Sequence, residues 1–121
     1  MAQSSGLHEP EQLLSPQAID RHRAIVSIQE ELEAVDWYDQ RVEATSDESL
    51  AEVLAHNRDE EKEHAAMTIE WLRRNDPVLD RHLHTYLFTS ERIVGIEGQA
   101  ERSAPEDDPG DASLGIGSLR G

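Results

Sequence analysis

Two long runs of helical apolar spacing, joined by a very short connection, constrain the fold of this chain most. In the first run, residues 17–43, apolar side chains recur at steps of 3, 4 and 7, and neither Gly nor Pro interrupts them. This spacing predicts a single helix of about seven turns. Because the connection at 43–46 is so short, we expect the second run to fold back as an antiparallel helical hairpin.

The second run is bounded by helix-terminating signals at both ends. It opens on a capping-box pattern, Thr45-x-x-Glu48, and it stops before Pro77, which cannot continue a helix. A shorter third helix is predicted over 78–89, and a further helical turn over 93–96. Since no segment alternates apolar and polar residues in the manner of a strand, the predicted fold class is all-α.

Charge and composition narrow the choice of partners. The chain has 26 Asp and Glu against 11 Lys and Arg, for a formal net charge of −15. We therefore expect no nucleic-acid partner and no anionic membrane partner, whereas metal cations should be attracted. The absence of Cys excludes disulfides and thiolate metal sites. No secretory signal and no apolar run of roughly 18 residues is found, so we expect an intracellular protein.

Composition also divides the chain into four predicted segments. Only the second of them carries helical apolar periodicity, and the third is rich in acidic residues and Pro. The segments are a flexible N-terminal arm at 1–16, a helical domain at 17–98, a disordered acidic linker at 99–112, and a short apolar peptide at 113–121.

The last segment has the composition of a docking peptide. Leu114, Ile116 and Leu119 are separated by Gly and Ser, which disfavour a helix. Burying three aliphatic side chains contributes roughly 5–9 kcal/mol before ordering costs are subtracted. We expect this peptide to bind in an extended form to pockets on another protein.

Ionisable residues interrupt the apolar stripes of both long helices. Glu61 and His64 form an E-x-x-H pair on one face of the second helix, and Glu31 lies on the stripe of the first. Counted from the connection at about 1.5 Å per residue, Glu31 and Glu61 should lie at nearly the same height. Two carboxylates and an imidazole should therefore converge, a ligand set that suits iron or manganese. A hydrogen-bonded structural histidine beside a solvated acidic face is the alternative.

This set is half of a known ligand arrangement. Four-helix di-iron sites take Glu from two helices and Glu-x-x-His from two others. This chain supplies one such Glu, which is Glu31, one Glu-x-x-His pair, which is Glu61 and His64, and two long helices. A twofold homodimer would complete both the bundle and the site, which would hold two metal ions per dimer.

A second acidic group lies on another face of the first helix. Glu30 and Glu33 precede Trp37 at helical spacing and are typical either of a weaker, outer cation site or of a solvated acidic face. Tyr38 returns toward the Glu31 stripe, where it could donate a hydrogen bond to a ligand carboxylate or simply belong to the core. No role is predicted for the remaining histidines, which are His8, His22, His56, His82 and His84.

Three stretches resemble the encapsulated ferritins, the ferritin-like cargo proteins of encapsulin nanocompartments. They are Glu30–Tyr38, His56–Ala65 and Ser113–Leu119. The resemblance implies a ferritin-like four-helix bundle completed by dimerisation, with dimers arranged in a larger, decamer-like ring. It also implies a cytoplasmic protein that is held inside an encapsulin shell through 113–121.

The resemblance further implies an enzyme. It would be a ferroxidase that converts Fe(II) to Fe(III) with O₂ at a di-iron centre between two subunits, while the shell stores the iron. Glu31, Glu61 and His64 match the ligands, Tyr38 matches a tyrosine beside them, and the outer site for divalent cations falls on Glu30 and Glu33, beside Trp37. The alternatives are another di-metal carboxylate enzyme, manganese catalase-like or oxygenase-like, and a non-enzymatic helical adaptor carried as cargo.

Overall fold

The structure is a computed structural model that describes residues 6–103. Its helices are a 3₁₀ turn at Glu11–Leu13, α1 at Pro16–Ala44, α2 at Glu48–Arg74, α3 at Pro77–Tyr86 and α4 at Ile93–Ser103. No strand occurs within residues 6–103, and the predicted all-α class is confirmed there. None of the helices in that range is both long and apolar enough to cross a bilayer. The predicted peptide at 113–121 lies outside the described residues.

The described chain forms two compact units. The first contains the 3₁₀ turn, α1 and α2 as far as Leu72, and the second begins at Arg73 with the end of α2 and continues through α3 and α4. The predicted helical domain at 17–98 thus comprises two units. All the metal-ligand candidates belong to the first.

The N-terminal end of α1 is fixed by a side-chain cap. The Oγ atom of Ser15 accepts a hydrogen bond from the Ala18 amide at 3.0 Å, and Pro16 occupies the first turn, where its missing N–H costs nothing. From there α1 runs unbroken to Ala44, one residue beyond each end of the predicted helix.

The start of α2 differs from the predicted capping box. The Oδ1 atom of Asp47 accepts a hydrogen bond from the Leu50 amide at 2.9 Å, so Asp47 is the N-cap. Thr45 instead accepts from the Asp47 amide at 3.1 Å and shapes the connection. The prediction of a Thr45–Glu48 box was wrong because α2 begins at Glu48, and a capping side chain must directly precede the helix.

Two contacts between α1 and α2 establish an antiparallel hairpin. The Arg58 Nη1 atom donates to Asp39 Oδ1 at 2.9 Å, and the Thr68 hydroxyl lies 3.5 Å from Glu31 Oε2. Moving forward along α2 thus means moving backward along α1. The predicted hairpin is confirmed.

The hairpin buries little of its own apolar surface. In the first unit the buried apolar residues are Ala24, Ala65 and Leu72. Six large apolar side chains of the same unit remain 45% to 59% exposed, namely Ile25, Leu32, Trp37, Leu50, Val53 and Met67. Exposed apolar surface on this scale is typical of a face that another protein chain covers.

The second unit begins at a capped turn and differs from prediction at the end of α3. Asp76 accepts from the Leu79 amide at 3.0 Å and Pro77 follows it, as expected for a new helix after a break. Although helix was predicted to residue 89, α3 ends at Tyr86. Leu87 is extended and Phe88 has a positive φ of 63°, a backbone conformation that cannot continue a right-handed helix.

Helix α4 is longer than the single turn predicted at 93–96. It continues to Ser103 and takes the first five residues of the range predicted as linker, 99–112. Gln99 to Arg102 are good helix formers, and the next Pro is at position 105, so nothing in the sequence ends the helix earlier. The rest of that range lies outside the described residues.

A group of ion pairs joins α1 and α2 between the helix connection and the metal-ligand candidates. Arg58 bonds Asp39 on α1 and also donates from Nε to Asp59 Oδ1 at 3.0 Å, while Lys62 Nζ lies 3.2 Å from the same oxygen. The hydrogen bond from Arg58, followed by that from Lys62, lowers the pKa of Asp59 below its ordinary 3.8. The bonds to Asp59 and Asp39 in turn raise the pKa of Arg58.

We predict that Asp59→Asn destabilises the fold in a pH-dependent manner. Because folding lowers the pKa of Asp59, its stabilisation is complete above the ordinary value of 3.8 and is lost as the pH falls through the folded pKa. The difference between variant and wild type should shrink below about pH 4. Urea unfolding of the variant and the wild type across this pH range measures the difference in their free energies of unfolding. The variant Glu52→Gln, at an exposed position of α2, is the control. A difference that is independent of pH would contradict the assignment.

Candidate metal centre

Glu61 and His64 form the centre of the candidate site on α2. They are three residues apart on one helix, and His64 Nδ1 lies 3.5 Å from Glu61 Oε1. The side chain of Glu61 is 28% exposed and that of His64 is 44% exposed, so both are partly shielded from the solvent. The E-x-x-H spacing predicted this pairing, and the structure brings the two groups together.

Glu60 is a neighbour of His64 that the sequence analysis missed. Its Oε1 atom lies 4.0 Å from His64 Nε2, and its Oε2 atom lies 3.9 Å from His56 Nε2. The His64 imidazole therefore lies between the carboxylates of Glu60 and Glu61. The signal was present in the sequence, since Glu60 is four residues from each histidine and helical neighbours at that spacing face each other.

Glu31 reaches α2 from the opposite helix. Its Oε2 atom lies 3.5 Å from the hydroxyl of Thr68, which is one helical turn beyond His64. Its Oε1 atom is buried and has no hydrogen-bond partner in the part of the chain that the structure describes. A buried carboxylate oxygen without a donor is costly unless a cation or another donor compensates for it.

The height at which Glu31 meets α2 differs from the height predicted by counting residues. Counting placed Glu31 level with Glu61, whereas its carboxylate lies against Thr68, about two turns farther from the connection. Helical side chains tilt toward the N-terminus of their own helix. On α1 this tilt points away from the connection and on α2 toward it, so contacting residues are offset. Counting residues compares only the heights of the two backbones along the hairpin, so it does not include this offset.

A single copy therefore does not gather the three predicted ligands at one point. Glu61 and His64 lie together and Glu31 lies a turn beyond His64. Within residues 6–103 no three His, Asp or Glu side chains are grouped closely enough to hold a metal ion. Any centre that uses all three residues needs further ligands or a rearrangement of these ones.

The basic side chains nearest the pair on α2 are occupied elsewhere. Arg58 is bound to Asp39 and Asp59, and Lys62 is bound to Asp59. These cations are therefore paired with carboxylates other than that of Glu61. The carboxylates of the candidate site remain available to an added cation, in a chain whose net charge is −15.

The predicted outer site lies on the solvent side of α1. Glu30 is exposed, Glu33 is half-buried, and Trp37 is 45% exposed. Trp37 lines a surface hollow together with Gln40 and Arg41. Whether Glu30 and Glu33 bind cations stays a prediction.

Tyr38 is half-buried, and its ring contacts the guanidinium group of Arg41. The guanidinium carbon of Arg41 lies 5.4 Å from the centroid of the Tyr38 ring, within the range of a cation–π interaction. This contact lies near the C-terminal end of α1. The predicted hydrogen bond from Tyr38 to a metal ligand stays a prediction.

Two further histidines, to which no role was assigned, make contacts in the structure. His56 faces Glu60, as described above, and His84 Nδ1 lies 3.2 Å from Asp80 Oδ1 within the second unit. The predicted docking residues Leu114, Ile116 and Leu119 lie outside the described residues.

Comparison with known proteins identifies a family that this chain matches. The sequence profile of the EncFtn-like family matches residues 6–90. The encapsulated ferritin-like protein of Rhodospirillum rubrum is 58% identical, over all of this chain and 93% of its own length. The ferritin-like protein of Thermotoga maritima is 51% identical, over 93% of this chain and 96% of its own length.

A more distant relative and a solved structure agree with these matches. The encapsulin nanocompartment cargo protein EncC of Myxococcus xanthus is 33% identical, over 78% of this chain and 80% of its own length. The crystal structure of protein ne0167 from Nitrosomonas europaea superposes with a TM-score of 0.71 at 60% identity. The superposition covers 73% of this chain and 97% of the Nitrosomonas europaea chain.

Proposed function

This chain belongs to the EncFtn-like family, and from that membership we propose that it is a ferroxidase. It oxidises Fe(II) to Fe(III) with O₂ at a di-iron centre shared by two copies of the chain. It does so as cargo inside an encapsulin shell that stores the iron. The ligands are Glu31, Glu61 and His64 of each copy.

The state of Glu31 is the observation that carries this proposal. One of its oxygens is buried without a hydrogen-bond partner among the described residues, one turn from the Glu61–His64 pair. Carboxylate oxygens combined with one imidazole per metal are the donors that iron and manganese accept readily. A cation bound at Glu31 would compensate for the buried charge.

A second copy of the chain supplies what a single hairpin lacks. The large apolar side chains exposed on the first unit, such as Leu32 and Met67, provide a surface for association. A twofold axis would set Glu31, Glu61 and His64 of one copy opposite the same residues of its partner. Four carboxylates, with a charge of −4, then match two Fe(II) ions. This pairing of two hairpins would be a ferritin-like four-helix bundle.

Iron is the substrate in this proposal, and the protein supplies the site that binds it. The two Fe(II) ions give one electron each to O₂, which is the electron acceptor and which becomes hydrogen peroxide by taking up two protons from the solvent. The anionic oxygens of Glu31 and Glu61 stabilise Fe(III) more than Fe(II) because the product carries the higher charge. The site thereby favours oxidation and binds the product in the same ligand set.

The outer acidic face has a supporting role in this account. Glu30 is exposed and Glu33 half-buried on the same helix as Glu31, so they present negative charge to the solvent. Charge of one sign around a site raises the local concentration of the opposite ion. We assign these two residues to a weak site that collects Fe(II) and other divalent cations.

The shell is the proposed partner of the C-terminal peptide. One relative is named as encapsulated and another as an encapsulin cargo protein, and the alignment with the first spans this whole chain. Leu114, Ile116 and Leu119 would bind pockets on the inner shell surface. Many copies presented by a ring of dimers would bind more tightly than one, through avidity. The protein would then reside in a cytoplasmic nanocompartment.

We predict that Glu31→Ala, Glu61→Ala and His64→Ala each slow Fe(II) oxidation severely. Loss of an outer hydrogen-bond partner at a metal site costs about 10–100-fold, so loss of a ligand should cost more. Ferric absorbance and O₂ consumption after anaerobic Fe(II) loading measure the rate. Glu52→Ala and His82→Ala, on exposed positions of α2 and α3, are the matched controls and should keep the wild-type rate.

Three results would contradict the proposal. Wild-type activity in any of the three ligand variants would remove that residue from the site. Peroxide disproportionation with bound manganese, in place of iron oxidation, would indicate a catalase-like enzyme. No iron-dependent O₂ consumption by the wild type would indicate an adaptor.

A separate prediction concerns the peptide. Deleting 113–121 should abolish co-purification with a co-expressed encapsulin shell while Fe(II) oxidation by the isolated protein is retained, because the ligands lie in the hairpin. Size-exclusion chromatography of the shell fraction measures loading, with a scrambled peptide of equal length as control. Normal loading of the deletion variant would contradict the assignment of this peptide.

A further inference from the structure

Thr68 is a half-buried polar residue that the proposed reaction leaves without a role. Its hydroxyl oxygen lies 3.1 Å from the backbone carbonyl of His64 and 3.5 Å from Oε2 of Glu31. One side chain thus contacts two of the three proposed ligand residues, one on each helix of the hairpin.

The hydroxyl of Thr68 is held in place by its own helix. Threonine is branched at Cβ, so its first side-chain torsion has few states, and a bond to the carbonyl four residues earlier selects one of them. The position of Oγ1 is therefore set by the backbone of α2. Its single proton can be shared between the His64 carbonyl and Glu31 in a three-centre hydrogen bond, since both acceptors lie within 3.5 Å of the hydroxyl oxygen.

The side chain of Glu31 has no such restraint of its own. It has several rotatable bonds, and its carboxylate can turn freely unless a neighbour holds it. Oε2 is the oxygen that faces Thr68, and Oε1 is the buried oxygen without a hydrogen-bond partner in the described range. The two oxygens of one carboxylate thus have different environments.

We infer that Thr68 is a positioning residue for the metal centre. Its hydroxyl fixes one oxygen of Glu31 so that the other is presented to a metal ion. Its bond to the His64 carbonyl keeps the hydroxyl at a fixed position along α2. The inference rests on the proposed function in taking Glu31 as a metal ligand. It adds a residue whose effect is on cation binding and geometry rather than on the reaction with O₂.

Thr85 offers a matched control within the chain. Its hydroxyl also donates to the carbonyl four residues earlier, that of Arg81, at 3.1 Å on α3. Thr68→Val and Thr85→Val therefore make the same chemical change and remove the same kind of backbone hydrogen bond. Only the first also removes a contact with Glu31.

The test is an anaerobic titration of the full-length protein with Co(II), which binds iron sites without being oxidised by the protein. Thr68→Val should weaken Co(II) binding about tenfold or more and change the visible absorption of the bound ion. Thr68→Ser, which keeps the hydroxyl, should restore both, and Thr85→Val should match the wild type. Urea unfolding shows whether the variants are equally folded. If Thr68→Val does not fold, Thr68→Ser compared with Thr68→Ala gives the same contrast.

The possible failures are distinguishable. Equal Co(II) affinity and absorption for Thr68→Val and wild type would overturn the role of Thr68, even if the wild type oxidises iron. A loss in Thr68→Val that Thr68→Ser does not restore would also overturn it. A wild type that binds Co(II) with the expected dependence on Thr68 but does not oxidise Fe(II) would overturn the proposed function and leave the positioning role standing.

Discussion

The structure depends on a constraint of charge: within residues 6–103, a two-helix hairpin partly buries the acidic side chains Glu31 and Glu61 without pairing them with Lys or Arg. Glu31 carries a buried oxygen that lacks a hydrogen-bond partner among the described residues, and the carboxylate of Glu61 lies 3.5 Å from the imidazole of His64. The nearby cations Arg58 and Lys62 are bound by other carboxylates. Placing acids in this way lowers the stability of the isolated hairpin and favours any state in which a cation is bound.

The same hairpin is also short of apolar partners. Its buried apolar side chains include two alanines, which let α1 and α2 approach closely but contribute little burial, while Leu32 and Met67 remain exposed. Unpaired carboxylates and uncovered apolar surface are therefore properties of one unit. Association with a second copy would cover the apolar surface, and metal ions bound between the two copies would compensate for the carboxylates, which links the proposed assembly to the proposed chemistry.

The sequence predicted the helices and the Glu61–His64 pair because these follow from local spacing. It did not predict that Asp47 caps α2, that Phe88 ends α3 in a left-handed conformation, or that α4 reaches Ser103. Counting residues from the connection also did not predict which part of α2 Glu31 contacts. Side chains on antiparallel helices tilt in opposite directions, and this moves the contact of Glu31 to Thr68. Such features depend on cap geometry and on contacts between helices, which residue spacing does not specify.

The central claim is that one chain holds half of a two-metal pocket. Anaerobic titration with Fe(II) followed by native mass spectrometry tests it most directly, because mass reports both the number of chains and the number of ions. The account predicts that iron is found on even-numbered assemblies, two ions for every pair of chains, and that the monomer carries none tightly. A monomer that binds two ions by itself, or a dimer that binds none, would contradict it.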